Sequence, residues 1–374
     1  MLINELPDDC LLAIFDAIQD SKDLINCFKV REKWCNVIVG RTKRVKYLIN
    51  QPLDYFWNFV QEPVDVTSFR KLFPNLRIAE FSYLHYGRAS IEGTTKLIRG
   101  SESLKGIIYD GRLCFEYKTE HANLEMLSSR YIRIYISNIS GPCENVKQLR
   151  LFGSDQTELE CLAHYFPNLE RLHISRLKED TTKYPVLANL KIVEINLYPD
   201  SWFNPWCSFK FMDWCPALQS AHIRIEYCQI HFNDSIKHAN LQDLVIQFHQ
   251  PLEWNDLQRL MSKYPNLKHL AIRGTSLRDE HIKQLILILS KLTLLDVRES
   301  HGVTRRAADL VRDYCKRYGR SIKFYFKRDD KQIESDWPQL LNRPDKICRG
   351  FDFMEHCFFK SFGDLPHLLD PIDD

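Results

Sequence analysis

Residues able to do chemistry are plentiful in this chain: 13 histidines, 12 cysteines, 49 Asp plus Glu and 51 Lys plus Arg. What is missing is spacing. No two histidines fall within four residues of each other, so one helix face cannot offer a metal pair. The cysteines are scattered singly with no CxxC, so no zinc or dithiol signature is present. Nor is there a P-loop, a GxGxxG, a GxSxG nucleophile elbow or an HExxH helix. A Cys-His-Asp site assembled in space would leave no such mark, and nothing in the sequence recommends one. The expectation is a chain with no catalytic residues, no metal and no cofactor, the rival being a hydrolase with an unrecognised site.

Charge narrows the field further. Net charge is +2, so no global field attracts nucleic acid or an anionic membrane. The basic run Arg41-x-Lys43-Arg44-x-Lys46 is short and reads as a solvated helix face. The opening MLINELPDD is acidic and lacks the basic region that precedes the apolar stretch of a secretory signal, and no stretch approaches the roughly 20 apolar residues of a membrane span. Cytoplasm or nucleus is therefore the expected compartment. There, cysteines such as Cys27, Cys161 and Cys228 act as small hydrophobes, and the N-x-S sequons at Asn138 and Asn233 are chance matches.

The elements that would position any site begin with three short helices. Leu6-Pro7-Asp8-Asp9 is a helix start: proline loses nothing in a first turn, and two acids complement the positive end. Leu11, Ile14, Phe15 and Ile18 then recur at i, i+3, i+4 and i+7, with Leu12 at the edge of the stripe. Asp20-Ser21 offers a cap to a second helix carrying Leu24, Ile25, Cys27 and Phe28, and a third run passes from Val30 through Trp34 to Ile38. About fifty residues bury little surface, and this segment has more apolar positions than a three-helix core needs. Some must face a partner or the chain behind them.

The run Leu6-Pro7-Asp8-Asp9-x-Leu11-Leu12-x-Ile14-Phe15, followed by Asp23-Leu24 and Val30-x-x-x-Trp34, resembles an F-box over roughly residues 3 to 48. It departs from the family pattern at Arg31, where many F-boxes carry Cys. The resemblance implies a module that binds a Skp-type adaptor and, through it, a cullin-RING scaffold. It makes Leu6, Pro7, Leu11, Ile14, Phe15, Leu24, Val30 and Trp34 adaptor-facing or core candidates, without dividing the two roles.

Behind this module one phrase keeps returning. Phe73-Pro74-Asn75-Leu76, Phe166-Pro167-Asn168-Leu169 and Tyr264-Pro265-Asn266-Leu267 are nearly identical, and Cys215-Pro216-Ala217-Leu218 is a looser copy. Such phrases lead into L-x-x-L-x-L runs starting at 146, 169, 190, 218, 241, 267 and 292, a spacing of 21 to 28 residues. That is the period of leucine-rich repeats, each a strand plus a connecting segment. Helical connections are expected over Glu158–Ala163, Leu257–Met261, Ile282–Leu289 and Arg305–Tyr318, the last capped by Thr304 and closed by Gly319. Between 77 and 145 the register is hard to follow, with Leu104 and Leu124 as candidate starts. A single repeat cannot bury its own face, so neighbours must stack.

The expected fold is therefore α/β: an N-terminal three-helix F-box over 1–48, a packing linker over 49–70, a curved leucine-rich-repeat solenoid over 71–326, and a tail over 327–374. A compact α/β enzyme is the alternative. The tail is acidic, with 7 Lys plus Arg against 11 Asp plus Glu, yet holds Trp337, Phe351, Phe353, Phe358, Phe359 and Phe362. Residues between the repeat leucines should line the concave face, and Arg150, Arg171, His173, His222, Arg224, His269, Arg273 and Arg298 are its cationic members. Arginine forks favour carboxylate and phosphate, so an acidic or phosphorylated protein target is one expectation and an ordinary mixed-charge sheet the other. Together these readings suggest the substrate-recognition subunit of an SCF-type ubiquitin ligase. Its rival is a protein-interaction scaffold that uses the repeats alone.

Overall fold

The computed structural model describes residues 3–18, 21–43, 45, 47–48, 68–80, 97–109, 124–129, 142–151, 156–178, 186–198, 206–226, 229–298 and 300–328. The chain forms two units that divide between Val146 and Lys147. The expected linker over 49–70 and tail over 327–374 lie almost entirely outside the described residues, as do Arg44, Lys46, Asn138 and Cys228.

In the first unit a 3-10 turn at Ile3–Glu5 leads into helices α1 (Asp8–Asp16), α2 (Ser21–Val30) and α3 (Glu32–Thr42). Their common core is Leu11, Phe15, Leu24, Ile25, Phe28, Trp34 and Ile38, all buried. Phe15 and Trp34 meet edge to face at 5.3 Å between ring centroids. The end of α1 is tied to α3 by Arg41, whose guanidinium donates to the carbonyls of Phe15, Asp16 and Ile18 and pairs with the Asp16 carboxylate at 3.1 Å. A cation there adds a donor to the carbonyls at the end of the helix and complements its negative end. This corrects the reading of Arg41 as part of a solvated basic face: its side chain is only 12% exposed.

Strand β1 (Tyr47–Leu48), short helix α4 (Phe69–Leu72) and strands β2 (Ile78–Glu80), β3 (Gly106–Tyr109) and β4 (Met126–Ser129) complete this unit. Each strand pairs in parallel with the next. The repeats that the sequence blurs between 77 and 145 thus start at Leu76, Leu104 and Leu124, all buried. Thr42 at the end of α3 donates its hydroxyl to the Leu72 carbonyl, joining the helical module to the first repeat.

The second unit contains β5 (Gln148–Leu151), β6 (Arg171–Lys178), β7 (Ile192–Tyr198), β8 (Trp206–Ser208), β9 (Ser220–Ile225), β10 (Gln229–His231), β11 (Asp243–Phe248), β12 (His269–Arg273), β13 (Leu294–Asp296) and β14 (Lys323–Tyr325). Helices α5 (Gln156–Tyr165), α6 (Lys210–Asp213), α7 (Trp254–Met261), α8 (Asp279–Ile288) and α9 (Arg305–Tyr318) lie between them. Its main sheet is wholly parallel in the order β5-β6-β7-β9-β11-β12-β13-β14, while β8 and β10 form a separate pair. Strand after strand in sequence order, joined on the whole by helical or turn segments, is a solenoid of leucine-rich-repeat type.

The recurring phrase has a physical reason. Its first residue and its leucine close a tight turn, as in Leu169 N–H to Phe166 C=O at 3.2 Å and Leu267 N–H to Tyr264 C=O at 3.2 Å. The asparagine then reaches back one repeat. Asn189 Nδ2 donates to Pro167 O at 3.0 Å, Asn240 Nδ2 to Pro216 O at 2.9 Å and Asn266 Nδ2 to Ala239 O at 2.7 Å; in the first unit Asn75 Nδ2 donates to Lys43 O at 2.7 Å. Strands β3, β4, β6, β7, β9, β11, β12 and β13 are each entered by two N–H groups sharing one carbonyl at the entry to the preceding strand of the sheet, for example Glu170 and Arg171 to Lys147 O. Leu169, Leu172, Ile174, Leu267, Leu270 and Ile272 are each at most 1% exposed, as the repeat pattern requires.

Candidate interaction surfaces

The N-terminal module divides its apolar residues into two sets. Leu11, Phe15, Leu24 and Trp34 belong to the helical core. Ile3, Leu12, Ile14 and Val30 remain 46%, 36%, 39% and 55% exposed, Pro7 is exposed and Leu6 is half-buried. Ile14 lies at helical spacing from Leu11, yet α3 covers Leu11 and Phe15 and leaves Ile14 outside; the buried stripe is narrower than the periodicity implies. Lys33 fixes the entry to α1, donating to the Leu6 carbonyl at 2.9 Å and pairing with Asp8 at 3.3 Å. That holds Leu6 and Pro7 in a set position beside the exposed α1 residues.

On the sheet of the second unit, side chains alternate between the leucine face and an open face. The register aligns Arg150, His173, Glu194, His222, Val245, Ala271, Asp296 and Tyr325 in one open-face row. Arg171 and His269 lie in the row before it, Arg224 and Arg273 in the row after. Arg171, His173, His269 and Arg273 are all partly exposed.

The carboxylates of this face pair with most of its cations. Glu194 lies between His173 Nδ1 at 3.1 Å and His222 Nδ1 at 3.6 Å. Burial pushes its carboxyl up, but the two imidazoles more than offset this and hold it at about 2. His269 Nδ1 meets Asp243 at 2.5 Å. Asp296, 1% exposed, takes Arg298 through two nitrogens at 3.0 and 3.1 Å and Arg273 at 3.5 Å. Arg224 pairs with Glu226 at 2.5 Å, and the same carboxylate reaches His249 at 3.5 Å. The sequence reading missed Glu226, which sits just past β9 and becomes a partner only because the strand end brings Arg224 and His249 beside it. The open face is thus a mosaic of matched charges.

A third cluster is internal. Lys263 Nζ, fully buried, donates to Asp213 Oδ1 at 2.9 Å and to the Asn233 carbonyl at 2.5 Å, while His238 Nε2 meets the same carboxylate oxygen at 2.8 Å. Neighbouring Tyr264 and Cys215 are both pushed upward in pKa by burial and by the charge of Asp213. Fifty residues separate Asp213 from Lys263, so no local spacing announces the pair. Among the described residues no group of three His, Cys, Asp or Glu is arranged to hold a metal ion, and no helix is long and apolar enough to cross a membrane.

No protein-family model matches the chain. No curated protein sequence matches it either. Among solved structures, a chain of the Rad7–Elc1 complex of yeast aligns with TM-score 0.39 and 14% identity, covering 81% of this chain and 79% of that one. The APL1 leucine-rich repeat domain aligns with TM-score 0.33 and 10% identity over 71% of this chain and 77% of that one. The TLR13–ssRNA13 complex gives TM-score 0.33 and 12% identity over 64% of this chain and 42% of that one. At such values the fold assignment stands on the strand register and the repeat hydrogen bonds themselves.

Proposed function

We propose that the chain is the substrate-recognition subunit of an SCF-type ubiquitin ligase: an F-box that docks a Skp-type adaptor, carrying repeats that hold a protein target. The observation behind this reading is the division of the F-box pattern into a buried set, which holds the three helices together, and an exposed set at Ile3, Leu12, Ile14 and Val30 beside Leu6 and Pro7. A module that only capped the repeats would gain nothing from large apolar side chains in water, whereas an adaptor would bury them. The chain then contributes positioning: tethering a target raises its effective concentration near a ubiquitin-conjugating enzyme to the order of millimolar for short flexible links. Bond making belongs to other subunits.

For the target, an acidic or phosphorylated segment has weaker support than the sequence implied, because Arg224, Arg273 and Arg298 already hold carboxylates of this chain. A folded target with its own mixed charges fits the mosaic better. Purification of the intact protein from its native cells tests the proposal. Adaptor and cullin in the eluate support it; a bound target without either supports a scaffold that uses the repeats alone.

A further inference from the structure

The net charge of +2 is unevenly placed along the chain. Residues 305–328 hold 9 Lys plus Arg and 2 Asp plus Glu, whereas the other 350 residues hold 42 and 47. Most of that excess lies on one face of α9. With 3.6 residues per turn, Arg305, Arg306, Arg312, Lys316 and Arg317 fall within an arc of about 140°, and all five are exposed. The arc also holds Asp309 and Asp313. The other side of the helix buries Ala307 and Val311. Arg312 pairs with Asp309, but among the described residues Arg305, Arg306, Lys316 and Arg317 have no carboxylate partner. The open face of the sheet differs, since Arg224, Arg273 and Arg298 there are matched. Helix stability does not account for the row. Lys316 and Arg317 complement the negative end of α9, but Arg305 and Arg306 stand in its first turn, where acids are favoured and none is present.

We propose that this face of α9 binds the phosphate backbone of a nucleic-acid duplex without reading its sequence. Three features of the arc select that partner. It carries no apolar side chain, whereas the core of a protein interface is apolar and poor in charge; interfaces with nucleic acid are far more basic. The apolar residues Ala307 and Val311 are buried, so the helix has no stripe to lay into a bilayer. Nor does the arc carry an aromatic ring on which unpaired bases could stack, which favours a duplex over a single strand. The spacing suits a dense polyanion. Arg305 and Lys316 stand about 16 Å apart along the helix axis, a length over which duplex DNA presents roughly ten phosphates. Four of the five cations are arginines, whose planar forks match phosphate oxygens. A chain held in this way presents its repeats to proteins assembled on the same nucleic acid. The inference is independent of adaptor docking and of the target reading.

The test is fluorescence anisotropy of a labelled duplex DNA of about 30 base pairs and arbitrary sequence, titrated with the full-length chain between roughly 50 and 200 mM NaCl. Binding should be micromolar at the upper salt, as for other sequence-independent contacts, and log K should fall against log salt with a slope of about −4. The variant Arg306→Gln, Lys316→Gln and Arg317→Gln changes only exposed positions of the arc. It should lose at least tenfold in affinity at 100 mM and roughly three from the slope, with its circular dichroism unchanged. The variant Lys71→Gln, Arg77→Gln and Arg99→Gln makes the same charge change at exposed positions of the first unit, and should bind like wild type. No binding at 50 mM, or an equal loss in both variants, would overturn the proposal. So would displacement of the duplex by polyglutamate at equal charge concentration, which would assign the face to an acidic protein. Stronger capture by phosphatidylserine vesicles than by the duplex would overturn it as well.

Discussion

Single residues carry two predictions. Lys263 and Asp213 pair in the interior, 0% and 4% exposed at the side chain, with His238 on the same carboxylate. Removing one member of such a pair leaves a buried charge without compensation. Lys263→Ala should therefore cost about 3–5 kcal/mol in urea unfolding, and Asp213→Asn with Lys263→Met should recover a good part of it. Glu194 supplies a pH signature. Its folded pKa, about 2, lies below the ordinary 4.5, so the stability it contributes is present above about pH 4.5 and is lost as pH falls towards 2. The stability gap between wild type and Glu194→Gln, followed by denaturant titration, should be wide just above pH 4.5 and close as pH falls towards 2. An unchanged gap down to pH 2 would show that His173 and His222 do not hold the carboxylate as described. Neither cluster was legible beforehand. Their members sit in different repeats, and only the strand register and the loop path decide which of 49 acids meets which base.

At the scale of elements, much more was legible. Helix α9 spans Arg305–Tyr318 as its cap and terminator imply: Thr304 Oγ1 accepts from Arg306 N–H at 3.2 Å, and Gly319 adopts φ of 62°. Thr304 also donates its hydroxyl to Asp279 at 2.7 Å, tying α9 to the first turn of α8. Thr304→Ala should cost about 1–2 kcal/mol in thermal or denaturant unfolding, since it loses both a cap and a contact between repeats. Gly274 carries a constraint that no leucine pattern reveals. Its φ is 68°, and a Cβ there would come within 1.8 Å of the Phe248 carbonyl oxygen. Gly274→Ala should therefore destabilise the β11–β12 region by more than the ~1–2 kcal/mol of the left-handed conformation alone, and faster hydrogen exchange in β12 would report it. The leucines were readable because burial enforces a fixed period. The repeats between 77 and 145 were not, because their runs depart from the leucine pattern itself, with Ile107 and Tyr109 following Leu104 and Ser129 ending the run that Leu124 begins. The apolar pattern from Leu6 to Trp34 mixes buried and exposed residues without sorting them, because exposure at Ile14 and Val30 depends on where α2 and α3 pack.

For the whole molecule, a helical module with exposed apolar residues precedes two runs of the same repeat grammar, and the proposed partner of that module is an adaptor. Binding of the full-length chain to a purified Skp-type adaptor, by titration calorimetry, tests this most directly. The comparison is wild type against a variant carrying Leu6→Ala, Pro7→Ala and Ile14→Asp, substitutions outside the core of Leu11, Phe15, Leu24 and Trp34. Interface positions of this kind commonly contribute ~2 kcal/mol or more, so the wild type should bind and the variant should lose at least roughly thirtyfold in affinity, with its helical circular dichroism retained. No binding by a folded wild-type chain, or equal affinity of the two folded proteins, would contradict it.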